Sequence, residues 1–171
     1  KISPAAKEKM LICMDEIWGN PSSLHSPGQK AAEALQEARE TVAACIGALP
    51  DEIYFTSGGS EADNQAIISA ALQGRKRGKT HLISTAIEHH AVLHTLERLE
   101  KDGFQVTLLP VGESGIVKVE DVAAAIGPET ALVTIMYANN EIGSIQPIAE
   151  IGALCREKGV VFHTDAVQAV G

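Results

Sequence analysis

The 171 residues carry 14 basic and 22 acidic side chains, a formal net charge of −8 at pH 7, and 45% hydrophobic residues. This composition excludes a disordered, collagen-like or coiled-coil chain, and the length suits one domain with its own core. The acidic balance argues against general binding to nucleic acids or anionic membranes, and no apolar run of about 18 residues predicts a membrane span.

The cysteines and the opening residues predict a cytoplasmic protein. Cys13, Cys45 and Cys155 are odd in number, widely spaced and without a CxxC pair. Each lies in a helical pattern among apolar neighbours, which predicts buried, reduced thiols. No secretory signal precedes the first helical pattern.

Helical and strand patterns alternate along the chain. The first helix is predicted to begin at Ser3-Pro4, with serine as N-cap, and to end near Trp18. Ser26-Pro27 predicts the start of a second helix, which ends near Gly47. A short β-rich run follows at Ile53–Thr56. Later helices are predicted at 61–73, 89–101, 120–126 and 147–158, and strands at 81–86, 106–111, 131–138 and 160–164.

Strands separated by helices predict βαβ crossovers, and therefore a mostly parallel sheet in a three-layer α/β/α fold. The strand at 131–136 is apolar on both faces, as a central parallel strand should be. Ligands of such sheets bind beyond the carboxyl ends of the strands. The segments 57–60, 88–90, 137–141 and 165–168 follow strand-like runs, so they are the places to expect a site.

A glycine-rich turn precedes the helix predicted at 61–73. Its sequence, Thr56-Ser57-Gly58-Gly59-Ser60-Glu61, lets the backbone approach an anion just before a helix start with free N–H groups. Ser57 and Ser60 add hydroxyl donors. The pattern indicates a phosphate site, and a plain tight turn with Ser60 as helix cap is the alternative.

A histidine pair follows the strand at 81–86, in Glu88-His89-His90. One imidazole could stack on an aromatic ligand or act as an acid or base near neutral pH. Surface histidines that open a helix are the alternative. His90 and His94 could also share a metal ion, although no HExxH motif supports this.

Two adjacent amides, in Asn139-Asn140-Glu141-Ile142-Gly143, follow the strongest strand pattern. Asparagine is a poor strand former and a good hydrogen-bonding partner for a ligand. A simple turn, which asparagine and glycine also favour, is the alternative.

An aspartate ends the last strand-like run, in His163-Thr164-Asp165-Ala166-Val167-Gln168. A carboxylate at the end of a buried strand is costly unless it meets a cation or hydrogen-bond donors, and a protonated ring nitrogen would serve. The alternatives are an aspartate that caps the next helix and a His-x-Asp pair of metal ligands.

Together these segments resemble the cysteine desulfurases, which are class-V, fold-type I enzymes that depend on pyridoxal 5'-phosphate (PLP). The similar stretches are Gly19–His25, Phe55–Asn64, Glu88–Val92, Asn139–Gly143 and His163–Gln168. The resemblance implies that residues 1–171 form a single, incomplete PLP-binding large domain.

The resemblance implies a cofactor site at the strand ends, formed by Gly59, Ser60, His89, Asn140, Asp165 and Gln168. Gly59 and Ser60 would hold the phosphate, and His89 would stack on the pyridine ring and assist proton transfer as the catalytic residue. Asp165 would pair with the pyridinium nitrogen. Gln168 would bond the phenolic oxygen, and Asn140 would lie near the ring hydroxyl and the substrate carboxylate. No metal is implied.

The implied reaction converts L-cysteine to L-alanine and leaves the sulfur as a persulfide for a sulfur acceptor or Fe–S scaffold protein. The family also implies a homodimer. Its Schiff-base lysine and nucleophilic cysteine would lie beyond residue 171, and Cys13, Cys45 and Cys155 match no catalytic position. With Lys1 in place of methionine, this predicts the amino-terminal part of a longer enzyme, inactive by itself.

Three other functions fit part of the pattern. A selenocysteine lyase or another class-V lyase would share the cofactor site. A metal-dependent hydrolase would use His163 and Asp165 together with the histidines at 89, 90 and 94. A catalytically inactive interaction fragment is the third.

Overall fold

The structure is a computed structural model that describes residues 1–170. The chain divides after Phe55 into two compact units. The expectation of a single domain over 1–171 remains a prediction, and Gly171 lies outside the described residues.

The first unit consists of two helices and a short 3-10 turn, α1 at Pro4–Glu16, α2 at Ser26–Ile46 and the turn at Pro50–Glu52. Ser3 caps α1 as predicted, because its Oγ accepts a hydrogen bond from the Ala6 N–H at 3.2 Å. The cap of α2 is His25 rather than Ser26, since the His25 Nδ1 accepts from the Gly28 N–H at 3.1 Å. The helix therefore begins with Ser26 already inside it.

The β-rich run at Ile53–Thr56 is not a strand. The Ile53 carbonyl accepts a hydrogen bond from the Arg39 guanidinium, which also lies 5.1 Å from the centre of the Phe55 ring. Tyr54 is 75% exposed. The prediction was wrong because β propensity is weak without a neighbouring strand. Here the Arg39 side chain donates to the Ile53 carbonyl, which in a sheet would accept from a neighbouring strand.

The prediction of buried thiols is correct for Cys155 and wrong for Cys13 and Cys45, which are exposed. Cys13 lies in α1, a helix without a buried residue. Cys155 packs in the core of the second unit, where burial raises the pKa of its thiol to about 11.

The second unit alternates helices and strands, in the order α3 Gly59–Lys76, β1 His81–Thr85, α4 His90–Lys101, β2 Gln105–Leu109, α5 Val119–Ala125, β3 Thr130–Thr134, α6 Ile148–Glu157 and β4 Val161–His163. The four strands form one parallel sheet in the order β2-β1-β3-β4, which confirms the predicted fold class. Among residues 1–170, no helix has both the length and the apolar composition that a membrane crossing requires.

Helices cover both faces of this sheet. Leu82 and Leu132 pack in one apolar cluster with side chains of α3 and α4. Ile83 and Val133, the next residues along β1 and β3, pack in a second cluster with α5 and α6. Gly74 lets α3 lie close to the sheet, because a Cβ there would meet the Cβ of Ala131 at 2.4 Å.

Strand β3 ends at Thr134, four residues before the predicted end. The Ile135 N–H still donates to the His163 carbonyl at 3.1 Å. The next N–H, that of Met136, donates instead to the two carboxylate oxygens of Glu88, at 3.1 and 3.0 Å. A side chain therefore replaces the neighbouring strand as hydrogen-bond acceptor at the carboxyl end of the sheet.

Candidate active site

The candidate site lies where the chain direction across the sheet reverses. From β1 the chain moves outward to β2, then returns past β1 to β3 and continues to β4. Loops on either side of such a reversal leave a crevice at the carboxyl ends of the strands. A pocket of about 270 Å³ occurs there, and its walls include all six predicted site residues, Gly59, Ser60, His89, Asn140, Asp165 and Gln168.

The amino end of α3 forms one wall of the pocket. A Cβ on Gly59 would lie 3.0 Å from Cγ2 of Val167, so this wall has no room for a larger residue without displacing Val167. Ser57 faces elsewhere: its N–H and Oγ donate to the carboxylate of Glu61 at 2.7 and 2.5 Å. These bonds lower the pKa of Glu61. Of the two predicted hydroxyl donors, only Ser60 therefore lines the pocket.

His89 is the N-cap of α4, and its Nδ1 accepts a hydrogen bond from the Ala91 N–H at 3.1 Å. This bond fixes the imidazole at the pocket wall. His90 is not among the lining residues; its ring stacks on that of His94, with centroids 5.3 Å apart. Within residues 1–170, no three His, Cys, Asp or Glu side chains are grouped as metal ligands, so the His90–His94 pair lacks a third ligand there.

The two adjacent amides have different environments. Asn139 is buried, with its Oδ1 accepting from the N–H groups of Glu141 and Ile142 at 2.9 and 3.0 Å. Its Nδ2 donates to the Ile87 carbonyl at 2.8 Å. Asn140 is exposed and lines the pocket. Asn139 therefore has the role of a turn residue, and of the two amides only Asn140 is placed to bind a ligand.

Asp165 and Gln168 follow β4 and also line the pocket. The Tyr137 N–H donates to the Asp165 carbonyl at 2.8 Å, which ties this segment to the chain that leaves β3. The Oδ1 of Asp165 accepts from the Val167 N–H at 3.0 Å, next to a turn at residues 167–169. The described residues after Asp165 form no helix, so the helix-cap alternative stays a prediction. Beside it, the buried Oγ1 of Thr164 has no hydrogen-bond partner among the described residues.

Sequence reasoning missed Asp63, a second carboxyl group in this pocket beside Asp165. Asp63 lies on α3, is 5% exposed and lines the pocket beside Asp165. Burial and the nearby Asp165 raise its pKa to about 6, against an opposing effect of His89. The signal was its spacing: four residues after Gly59 and three after Ser60, it lies on the same helix face.

Glu88 directly precedes His89 in the loop between β1 and α4. It is buried and accepts hydrogen bonds from the Thr85 hydroxyl at 2.6 Å and from the Met136 N–H. Burial raises its pKa to about 7; these bonds oppose the shift, and Asp165 and Asp63 add to it. Two carboxyl groups, Asp63 and Asp165, thus line the pocket, and Glu88 lies near enough for both to raise its pKa. This arrangement favours a ligand with positive charge towards that side.

His163 does not lie in the pocket wall as a free metal ligand. Its Nδ1 is 2.8 Å from the Thr134 hydroxyl, and its Nε2 is 3.6 Å from Oδ1 of Asp63. Burial lowers its pKa, and Asp165 opposes this effect. Both ring nitrogens face protein partners, so the arrangement gives the metal-dependent hydrolase no positive support.

Residues 3–171 match the family model described as aminotransferase class-V. The chain belongs to the class-V aminotransferase family. It is 56% identical over 168 residues to the cysteine desulfurase IscS of Clostridium botulinum (strain Hall), covering 98% of this chain and 42% of that protein. Over 164 residues it is 52% identical to the putative cysteine desulfurase IscS 1 of Bacillus subtilis (strain 168), covering 96% of this chain and 43% of that protein.

Solved structures agree with the fold. A NifS-like protein superposes with a TM-score of 0.94 at 38% identity, over 99% of this chain and 47% of that one. SspA, solved in complex with cysteine, gives 0.93 at 42% identity, over 98% and 48%. The chain therefore spans less than half the length of these relatives.

Proposed function

We propose that the intact protein containing this chain is a PLP-dependent cysteine desulfurase, and that residues 1–171 supply most of its cofactor pocket. The observation that carries the proposal is the meeting of six residues from four separate segments in one pocket. Membership of the class-V aminotransferase family and the similarity to cysteine desulfurases support it.

The amino end of α3 suits the phosphate group of PLP. The first N–H groups of a helix have no acceptor within the helix, and the helix dipole favours an anion there. Gly59 leaves the space that a Cβ would fill, and the Ser60 hydroxyl can donate beside it. Glu61 is the one acidic residue in the first turn, and its carboxylate accepts hydrogen bonds from the N–H and the hydroxyl of Ser57.

Three other lining residues suit the pyridine ring and the substrate. Asp165 would pair with a protonated ring nitrogen, Gln168 would donate to the phenolic oxygen, and Asn140 would lie near the substrate carboxylate. When bound, PLP supplies an electron sink for the Cα–H bond that must break.

His89 is the proton-transfer residue of the proposal. Because its Nδ1 accepts the hydrogen bond from Ala91, a neutral imidazole carries its proton on Nε2. In that form the Nε2–H of His89 can donate a hydrogen bond, but its loss would leave an imidazolate. His89 therefore gives up a proton only from the imidazolium, which forms when Nδ1 releases the Ala91 N–H and takes up a proton. Its place as N-cap of α4 holds the neutral ring at the pocket wall.

The overall reaction needs no external oxidant. Cysteine and a protein thiol give alanine and a protein persulfide: the C–S bond of cysteine breaks, an S–S bond forms, and the methyl group gains the hydrogen. No lysine lines the pocket among the described residues, and Cys155 is buried with a pKa of about 11. We therefore assign the lysine that binds PLP and the reactive thiol to other parts of the intact protein.

The sulfur leaves this reaction as a protein persulfide. Such a group is a source of sulfur for an acceptor or Fe–S scaffold protein, which would be the macromolecular partner. The homodimer and the cytoplasmic location stay predictions.

The test uses the intact gene product and the variant Asp165→Asn. Purified protein loaded with PLP should release alanine from L-cysteine, and borohydride reduction should leave one PLP adduct on a lysine outside residues 1–171. Asp165→Asn should slow alanine release at least about 100-fold, because the ring nitrogen loses its anionic partner. Asp102→Asn, an exposed aspartate at the end of α4, is the matched control.

Three outcomes would contradict the proposal: no PLP uptake, an adduct on one of the lysines in this chain, or normal turnover by Asp165→Asn. An assay with selenocysteine as a second substrate distinguishes a cysteine desulfurase from a selenocysteine lyase. The lyase would release alanine from selenocysteine and leave cysteine unchanged.

A further inference from the structure

Asp63 is a buried carboxyl group with little to stabilise its charge. It is 5% exposed, and its one ion-pair contact among residues 1–170 is with His163. The imidazole of His163 contacts it, with Nε2 3.6 Å from Oδ1, and the imidazole of His89 also lies near enough to lower the pKa of Asp63. An ionised carboxylate in such a place is costly unless a nearby group carries the opposite charge.

His163 is held in place for this contact. Its Nδ1 lies 2.8 Å from the hydroxyl of Thr134, a fully buried residue at the end of β3. The Thr134 hydroxyl can donate to Nδ1 or accept from it, so it tolerates both a neutral and a protonated imidazole. Nε2 therefore remains directed at Asp63 in either state.

The pair also lies next to Asp165. His163 precedes Asp165 by two residues on the segment that ends β4, and Asp63 lines the same pocket as Asp165. The carboxylate of Asp165 raises the pKa of both partners, while burial raises the pKa of Asp63 to about 6 and lowers the pKa of His163. The other titratable groups that face Asp63 and Asp165 are Glu88 and His89, from the loop before α4.

We propose that Asp63 and His163 share one proton and act as a positioning pair for Asp165, so that the charge of the pair sets how strongly Asp165 holds a protonated ring nitrogen. The inference rests on the proposed function, because the ring is that of PLP. With one proton, the pair has no net charge. When that proton leaves to water, the pair carries one negative charge beside Asp165.

The sign of the effect follows from Coulomb's law. A negative charge near the pocket stabilises a cationic ring nitrogen and raises the pKa of that nitrogen. Asp63→Asn keeps the shape of the side chain and removes the charge. The ring nitrogen should therefore lose its proton at a lower pH in the variant than in the wild type.

The experiment measures the ring nitrogen itself. The intact protein is loaded with PLP labelled with ¹⁵N in the ring, and the ¹⁵N chemical shift is recorded against pH. Asp63→Asn should lower the midpoint of the ring-nitrogen transition by about one pH unit, and Asp102→Asn should leave it unchanged. Equal midpoints in wild type and Asp63→Asn would overturn the inference.

A second measurement needs no change at Asp63. In the wild type, the ¹⁵N shift should show a small inflection between about pH 5 and about pH 8, around the ordinary pKa of histidine, as the pair loses its proton while the ring keeps its own. A flat trace would overturn the inference, even if Asp63→Asn fails to fold or to load. An inflection that disappears in Glu88→Gln belongs to Glu88 and would also overturn it. A wild type that takes up no PLP would instead refute the proposed function.

Discussion

The side chain of Asn139 donates a hydrogen bond to the carbonyl of Ile87 at 2.8 Å, across 52 positions of sequence. This bond, together with those from the Met136 N–H to Glu88, joins the loop after β1 to the loop after β3. Since the first loop carries His89 and the second carries Asn140, it sets the distance between two walls of the candidate site.

Replacing Asn139 should loosen the pocket without removing a residue that lines it. Asn139→Ala loses the bond to Ile87 and the two backbone bonds accepted by its Oδ1, so the free energy of unfolding should fall by about 1–3 kcal/mol. The PLP dissociation constant should rise as well. Urea unfolding and PLP titration of the intact protein measure both. Asn140→Ala is the matched variant, expected to weaken PLP binding at unchanged stability; equal stability of the two variants would refute this role of Asn139.

His89 and His90 should respond differently to replacement. His89 lines the pocket, whereas His90 stacks on His94. His89→Ala should alter the visible absorption of bound PLP and slow alanine release at least about 100-fold, the lower end of the range that a proton-transfer residue contributes. His90→Ala should change neither by more than about twofold. A larger effect of His90→Ala than of His89→Ala would mean that the pocket histidine is His90 and that the assignment of His89 is wrong by one position.

The two glycines at the start of α3, Gly58 and Gly59, provide a steric test of the phosphate site. A Cβ on Gly59 meets Val167 at 3.0 Å, but a Cβ on Gly58 meets nothing within 4 Å. Gly59→Val should therefore abolish PLP retention in gel filtration, while Gly58→Ala should retain it. Ser60→Ala should weaken binding by about 1.5–3 kcal/mol, the value of a hydrogen bond to a charged group. Normal retention by both Gly59→Val and Ser60→Ala would place the phosphate elsewhere.

Glu88 should make the stability of the fold depend on pH. Its pKa rises from 4.5 in the unfolded chain to about 7 in the fold, so the native state binds the extra proton. The stabilising contribution is complete below pH 4.5 and is lost as the pH rises through about 7, a change of about 3 kcal/mol. Urea unfolding at several pH values should show this loss in the wild type and a smaller slope in Glu88→Gln. Glu97→Gln, on the exposed side of α4, is the control; an unchanged slope in Glu88→Gln would assign the pH dependence to other groups.

Local patterns were sufficient to predict the parallel sheet and the segments that form the pocket. Alternating strands and helices leave few other topologies, and the carboxyl ends of parallel strands meet at one edge. Long-range contacts decided the rest. The sequence around Ile53 is typical of a strand, yet its carbonyl bonds Arg39. Asp63 resembles a surface residue of a helix until the position of His163 is known. Asn139 and Asn140 are chemically identical neighbours, and only their burial separates a structural role from a ligand-binding one.

The strand order β2-β1-β3-β4 also constrains how the second unit can fold as it is synthesised. β1 and β2 are close in sequence and can pair early, but β1 lies between β2 and β3, and its other edge pairs with residues 130–133. Until those residues leave the ribosome, Leu82 lacks Leu132 and Ile83 lacks Val133 among the side chains that bury them. A nascent chain that pauses before β3 therefore presents an open apolar strand edge, which is the state most exposed to aggregation and to capture by chaperones.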